Sequence, residues 1–213
     1  MTPAEQSAAA RGICALAPII PVIVVQQVAD AAPLARALVA GGLPALEVTL
    51  RTPCALEAIR AMADVEGGVV GAGTLLTPAD VRAAKAAGAR FGVSPGLTER
   101  LVKACEDEGL PLLPGAVTAS EVMRAMEWGY DMLKFFPAGT SGGAAAIRAL
   151  GGPLPQVSFC PTGGVSLSNA PDYLALKNVA CAGGSWVAPD AKVRAGDWAG
   201  IEALAREAAA LPR

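Results

Sequence analysis

The chain has 213 residues, a formal net charge of -2 and no histidine, and 53% of its residues are hydrophobic. Its scattered basic residues exclude the concentrated cationic surface of a nucleic-acid-binding protein, and the missing histidine excludes Ser-His-Asp triads and HExxH zinc sites. No linker or low-complexity run divides the chain, so we predict a single domain over residues 1–213.

The N-terminal region contains an apolar stretch, residues 12–29, that has no charge and the length of a membrane span. Two prolines and two adjacent glutamines interrupt it, which favours a buried strand. The preceding residues 2–14 predict a short helix at the floor of the fold, and they lack the basic-then-apolar order of a secretion signal. The cysteines include no CxxC pair and lie in apolar segments, as expected for reduced, buried thiols. We therefore predict a cytoplasmic protein with no membrane partner.

Short apolar runs alternate with Ala-rich amphipathic segments along the whole chain. This alternation is typical of βα units around a parallel sheet. The predicted strands are residues 21–25, 45–50, 69–73, 90–94, 111–114, 132–136, 156–160 and 179–183. Eight such units in so few residues favour an α/β fold of the (β/α)8 TIM-barrel class with an N-terminal helix. A doubly wound open sheet is the structural alternative, which periodicity alone does not exclude.

Residues that begin or end helices separate the predicted strands. The candidate helix starts, where a side-chain oxygen can cap free amides, are Asp30, Thr52-Pro53, Thr77-Pro78, Thr98, Thr118 and Ser168. Four helices are expected to stop at glycines: Gly41, Gly88, Gly109 and Gly129.

The second predicted strand carries polar residues at every other position. Glu47, Thr49 and Arg51 share one face, and apolar residues occupy the other. In a barrel the polar face looks inward, whereas in a half-exposed strand it faces water. An inward Glu47 could move protons, and Arg51 offers a guanidinium for a carboxylate.

The sixth predicted strand places Lys134 among apolar residues on both faces. Lysines are almost never buried without a partner, and an apolar surrounding favours the neutral amine, which can attack a carbonyl. A lysine extending to water at the barrel mouth is the ordinary alternative. If Lys134 and Glu47 both project inward near the strand ends, the pair predicts covalent carbonyl chemistry.

Two glycine-rich turns follow the last two predicted strands, at residues 160–164 (CPTGG) and 182–185 (AGGS). Barrels often hold phosphate at this place, on backbone amides. Glycines also occur as plain turn formers, so either turn alone would be weak evidence. The GAGT run at 71–74 lacks the third glycine of a dinucleotide site, and no Walker sequence occurs. No cofactor and no metal are predicted.

Several of these motifs, read together, resemble those of the 2-keto-3-deoxy-6-phosphogluconate (KDPG) aldolases. The motifs are EVTLRT at 47–52, GAGT at 71–74, SPG at 94–96, KFFPA at 134–138 and CPTGG at 160–164. The resemblance spans nearly the whole chain and implies a (β/α)8 homotrimer. It further implies reversible cleavage of KDPG, a phosphorylated keto acid, to pyruvate and glyceraldehyde 3-phosphate, the last step of the Entner–Doudoroff pathway. The resemblance also allows the related cleavage of 4-hydroxy-2-oxoglutarate to pyruvate and glyoxylate.

The same resemblance implies a role for each motif residue. Lys134 would form the imine, and Glu47 would act as general acid and base through a water. Arg51 and Thr74 would hold the pyruvate carboxylate. The other substrate contacts would be Pro95 and Phe136, as an apolar wall, and Thr162. The phosphate would be bound by Gly163, Gly164, Gly184 and Ser185.

Two other functions fit the residues without the resemblance. One is a phosphosugar isomerase or epimerase in which Glu47 moves protons and Lys134 acts only as a cation. The other is a phosphometabolite-binding protein without catalysis, because fold alone does not decide function.

Overall fold

The structure is a computed structural model that describes residues 1–212. In this part of the chain, strands and helices alternate in the predicted order. The strands are β1 (Ile19–Ile23), β2 (Ala45–Thr49), β3 (Val69–Gly73), β4 (Phe91–Val93), β5 (Leu112–Leu113), β6 (Met132–Phe135), β7 (Ser158–Pro161) and β8 (Ala182–Gly184). The helices are α1 (Pro3–Cys14), α2 (Val28–Ala40), α3 (Ala55–Ala63), α4 (Pro78–Ala86), α5 (Glu99–Glu108), α6 (Ala119–Glu127), α7 (Gly143–Leu150), α8 (Ala170–Leu174), α9 (Asp190–Arg194) and α10 (Trp198–Ala209).

The strands pair in parallel, and their regular ladders form two sheets. Six strands pair in the order β5-β4-β3-β2-β1-β8, and β6 pairs with β7. Single parallel bridges connect the two sheets, including one between Gly115 and Lys134 and one between Thr162 and Gly183. The predicted parallel α/β class is confirmed, with ladder pairing that is continuous over six strands.

The hydrophobic core lies on both faces of the curled sheet. One set of strand residues, which includes Leu133 and Phe135, packs against the helices. A second set, which comes from the strands, from α1 and from the residue before β8, fills the interior: Ala10, Cys14, Ile20, Ala45, Phe91, Val93, Leu113, Met132, Cys160 and Cys181. Because successive strand residues point to opposite faces, Lys134 shares the interior face with Met132.

Helix α1 packs against the start of β6. The Ser7 Oγ accepts a hydrogen bond from the Met132 amide at 2.9 Å, and the Tyr130 hydroxyl donates to Gln6 Oε1 at 2.8 Å. These bonds place α1 at the end of the sheet where the strands begin, the position expected for it from the sequence.

Three of the six predicted helix starts are correct. Thr77, Thr98 and Thr118 each accept a hydrogen bond from the amide three residues later, at the starts of α4, α5 and α6. The predicted glycine stops are also confirmed, since four helices end within two residues of Gly41, Gly88, Gly109 and Gly129.

The other three predicted starts are wrong. The helices begin at Val28, Ala55 and Ala170 instead of at Asp30, Thr52-Pro53 and Ser168. The Thr52 hydroxyl donates to the Val25 carbonyl at 2.7 Å, so it ties the loop to the chain after β1 and caps no helix. Strand β1 spans Ile19–Ile23, so it begins and ends two residues before the predicted strand.

The cysteines are free thiols, as predicted. Four of them are buried and Cys54 is half-buried, so the prediction of full burial is wrong for Cys54 alone.

Among residues 1–212, none of the helices combines the length and the apolar character that crossing a bilayer requires.

Candidate active site

Lys134 and Glu47 meet in the interior of the curled sheet, although they belong to different sheets. Lys134 is the third residue of β6, and Glu47 is the third residue of β2. Lys134 Nζ donates a hydrogen bond to Glu47 Oε1 over 3.1 Å. The two side chains are only 5% and 4% exposed. The structure therefore brings together the two residues that the sequence predicts for carbonyl chemistry.

Burial makes the amine and the carboxylate stabilise each other. Removing an amine and a carboxylate from water is costly unless they compensate each other, which this contact does. A separation of 3.1 Å also lies within the range for direct proton transfer. The centroid of the Phe136 ring lies 5.2 Å from Lys134 Nζ, so the ring forms an apolar wall beside the amine. The following peptide bond, Phe136–Pro137, is cis.

Three buried thiols form a group in the interior next to Lys134. Cys160 is the register partner of Lys134 in β7. Hydrogen bonds with the thiols of Cys14 and Cys181, together with the Lys134 charge, lower the pKa of Cys160. Hydrogen bonding within the same group and burial raise the pKa of Cys14 and Cys181. In residues 1–212 the His, Cys, Asp and Glu side chains form no group of three or more that could hold a metal ion.

Arg51 and Thr74 lie next to each other at the ends of β2 and β3. Arg51 Nε donates to Thr74 Oγ1 over 3.3 Å. The Thr74 backbone has a φ of 63°, a left-handed conformation that is unusual for a β-branched residue. Such strain is concentrated at functional sites. A guanidinium beside a hydroxyl matches the acceptor pattern of a carboxylate, the group that the resemblance assigns to this pair.

Pro95 lies in the turn after β4. The buried Ser94 donates its hydroxyl to the Gly96 carbonyl at 2.6 Å, which closes the turn. At Gly115, after β5, an added Cβ would lie 2.2 Å from the Pro95 carbonyl oxygen, so the two segments are in close contact. The exposed Pro95 therefore has a fixed place at the carboxyl ends of the strands.

The first glycine-rich segment turns after β7 at Thr162, as predicted, but the predicted turn at 182–185 is wrong, because residues 182–184 form β8. A single bridge between Thr162 and Gly183 joins the two segments. Thr162 is buried, and the next two residues, Gly163 and Gly164, have φ values of 91° and 78° that favour glycine. Within residues 1–212, the amides of this glycine pair donate to no backbone carbonyl outside helices and strands. Gly184, the last residue of β8, is buried, and Ser185 after it is exposed. The adjacent amides of Gly163 and Gly164 suit the binding of an anion.

Two strand glycines to which the sequence assigned no role also shape the site. An ideal Cβ at Gly73 would lie 2.3 Å from Glu47 Oε1, and one at Gly183 would lie 2.3 Å from Thr162 Oγ1. A glycine within a strand is the sequence signal for such a close approach. The signal does not identify the group that approaches.

Comparison with known proteins gives a consistent result across the chain. A family model described as KDPG and KHG aldolase matches residues 11–204. The KHG/KDPG aldolase of Escherichia coli strain K12 is 52% identical over 200 residues, which cover 93% of this chain and 94% of the relative.

Solved structures give the same result. A KDPG aldolase from Zymomonas mobilis ZM4, solved with 3-phosphoglycerate, superposes with a TM-score of 0.91 at 50% identity and covers 95% of each chain. A KDPG aldolase from Legionella pneumophila, with pyruvate captured at low pH as a covalent carbinolamine intermediate, has a TM-score of 0.91 at 44% identity. The superposition covers 94% of this chain and 98% of the Legionella chain.

Proposed function

The chain belongs to the KDPG and KHG aldolase family, and on this premise we propose that it cleaves KDPG to pyruvate and glyceraldehyde 3-phosphate through an imine on Lys134. The enzyme is a lyase, and its place is in the Entner–Doudoroff pathway. The observation that carries the proposal is the buried contact of 3.1 Å between Lys134 Nζ and Glu47 Oε1. This contact supplies the nucleophile and the proton carrier that a class I aldolase requires.

Imine formation begins when the ammonium proton of Lys134 passes to Glu47 or to water and the free amine adds to the C2 carbonyl of the substrate. The carbinolamine hydroxyl takes up that proton and leaves as water, which gives the protonated imine and leaves Glu47 as a carboxylate. The Legionella relative, with pyruvate as a covalent carbinolamine, supports this step. Because the pair is almost completely buried, bulk water does not compete with Glu47 for the hydrogen bonds of the amine.

Carbon–carbon cleavage then uses the protonated imine as an electron sink. Glu47, as a carboxylate, takes the proton of the C4 hydroxyl while the C3–C4 bond breaks, and the bonding electrons move into an enamine. Glyceraldehyde 3-phosphate leaves. Glu47 returns the proton to C3 of the enamine, and hydrolysis of the pyruvyl imine releases pyruvate and restores the Lys134 amine.

The groups around the pair bind the two ends of the substrate. Arg51 and Thr74, in contact at 3.3 Å, hold the carboxylate next to the C2 carbonyl. Pro95 and Phe136 form the apolar wall, and Thr162 contacts the substrate chain. The phosphate is bound at the turn after β7 and at the end of β8, by Gly163, Gly164, Gly184 and Ser185. The Zymomonas relative, solved with a phosphorylated acid, supports a phosphate site in this family.

The phosphate assignment predicts a substrate-dependent effect of Ser185→Ala. Loss of one charge-assisted hydrogen bond should raise the KM for KDPG by about tenfold. The kcat/KM for 4-hydroxy-2-oxoglutarate, which carries no phosphate, should change by less than about twofold. Steady-state kinetics on both keto acids checks this, with Ser120→Ala on the exposed surface of α6 as the control. An equal loss on both substrates would contradict the assignment.

The proposal extends to the architecture and assembly of the enzyme. The bridges at Gly115–Lys134 and Thr162–Gly183 support closure of the two sheets into one (β/α)8 barrel that forms a single domain. We propose a cytoplasmic homotrimer. Sedimentation equilibrium should give the mass of three chains, and a monomer mass would remove this part of the proposal.

The activity is tested by adding KDPG or 4-hydroxy-2-oxoglutarate and measuring pyruvate through its reduction by NADH. We expect pyruvate and glyceraldehyde 3-phosphate in equal amounts from KDPG, and the comparison gives the relative rate on the second keto acid. Absence of pyruvate from both substrates would contradict the proposal. Isomerised or epimerised phosphosugar without pyruvate would support the alternative in which Lys134 is only a cation.

A further inference from the structure

Gly73 is the last residue of β3 and lies directly beside the Glu47 side chain. An ideal Cβ at this position would be 2.3 Å from Glu47 Oε1, 2.7 Å from its Cγ and 2.9 Å from its Cδ. Real Cβ atoms essentially never approach other heavy atoms this closely. The space that a side chain would fill at residue 73 is therefore occupied by the carboxylate of Glu47.

The backbone of β3 cannot move aside to relieve such a contact. Gly73 is paired with Thr49 in the β2–β3 ladder, and its carbonyl accepts a hydrogen bond from the Leu50 amide at 2.9 Å. On its other side, β3 pairs with β4. The Glu47 carboxylate is the far end of a flexible side chain, so it would yield first. Its displacement would break the contact of 3.1 Å with Lys134 Nζ.

From this geometry we propose that Gly73 is a positioning residue that holds the Glu47 carboxylate in reach of the reacting atoms. The inference rests on the function proposed above, because it assigns proton transfer to Glu47. Gly73 touches no substrate in this scheme and acts only through the carboxylate. It would contribute to proton transfer at C3 and C4, while imine formation depends on the Lys134 amine.

Gly71 provides a matched control in the same strand. It points to the same face as Gly73, since the two are separated by two residues. The three atoms nearest to an added Cβ there all belong to the ring of Phe91, a buried interior residue, the first at 2.4 Å. Both glycine-to-alanine changes therefore crowd the interior, but the nearest atoms belong to Phe91 at residue 71 and to the acid–base group at residue 73.

The test compares two rates in each variant: borohydride trapping of pyruvate on Lys134, and exchange of the pyruvate methyl hydrogens with deuterium from solvent. For Gly73→Ala we expect trapping within about threefold of the wild type and exchange about 50-fold slower. For Gly71→Ala we expect the ratio of the two rates to stay within about twofold, with a lower melting temperature. An unchanged ratio in Gly73→Ala would overturn the inference.

A second comparison identifies Glu47 as the group through which Gly73 acts. In a Glu47→Gln background, Gly73→Ala should slow exchange by less than about twofold, because the proton carrier is already lost. Independent, multiplying losses would overturn the inference. If Gly73→Ala alone does not fold, the Glu47→Ala/Gly73→Ala protein should, since the clash is gone; failure of that protein to fold would also overturn it.

These outcomes separate the inference from the proposed function. If the wild type traps no pyruvate on Lys134, the proposed function fails, and the role of Gly73 fails with it. If the wild type traps pyruvate and Gly73→Ala behaves like Gly71→Ala, only the role of Gly73 is contradicted.

Discussion

Replacing Lys134 by alanine should abolish KDPG cleavage, with kcat falling by about 10⁴-fold or more, while the protein stays folded. The amine is the only atom group in the proposed mechanism that becomes covalently bound to the substrate, so no neighbour can replace it. Truncation leaves Glu47 buried without its partner, which should lower the free energy of unfolding by up to about 3 kcal/mol. Pyruvate release and the circular dichroism melting curve measure the two effects.

Lys134→Arg is the control for the covalent step. Arginine keeps the positive charge beside Glu47 but forms no imine with a ketone. We expect the same loss of cleavage as in Lys134→Ala, with the stability closer to that of the wild type. Substantial activity in Lys134→Arg would show that the side chain serves only as a cation, as in the isomerase alternative.

Replacing Glu47 by glutamine should slow carbon–carbon cleavage by about 10²-fold or more without preventing imine formation. Glutamine keeps the size of the side chain and an oxygen within reach of Lys134 Nζ, but it accepts no proton from the C4 hydroxyl. Single-turnover measurements separate the two steps, because borohydride traps the imine and product release reports cleavage.

Arg51 provides a control for the Glu47 prediction, because it follows the same strand, two residues after its end, but binds substrate in our scheme. Arg51→Leu should mainly raise the KM for both keto acids, by about tenfold or more, since each has the carboxylate. Glu47→Gln should mainly lower kcat. Loss of pyruvate trapping in Glu47→Gln would contradict the division of roles between Lys134, which forms the imine, and Glu47, which moves protons.

The sequence predicted those features that depend on local pattern. Alternation put Glu47 on the polar face of β2, which points inward in a barrel, and the apolar strand around Lys134 favoured a buried amine over one that extends to water. Both residues are buried. The β3 bounds, Val69–Gly73, match the predicted strand. Threonine caps at α4, α5 and α6 were found because a cap is a contact within one helical turn.

The features that the sequence missed depend on contacts between distant segments. Thr52 was predicted to cap α3, but its hydroxyl donates to Val25, 27 residues earlier. The GAGT run drew attention to Gly73 only as part of a motif, because its neighbour Glu47 becomes visible only when β2 and β3 are paired. Likewise, periodicity predicted eight strands, but it did not predict that six of them pair in one sheet and two in another.

The most direct test of the whole account is reduction of the wild-type protein with borohydride in the presence of pyruvate, followed by peptide mass spectrometry. We predict one stable pyruvyl adduct, on Lys134. The exposed Lys103 provides an internal control, since its ammonium contacts Asp107 at the surface and should remain unmodified. Absence of an adduct on Lys134, or modification of Lys103 to the same extent, would contradict the account.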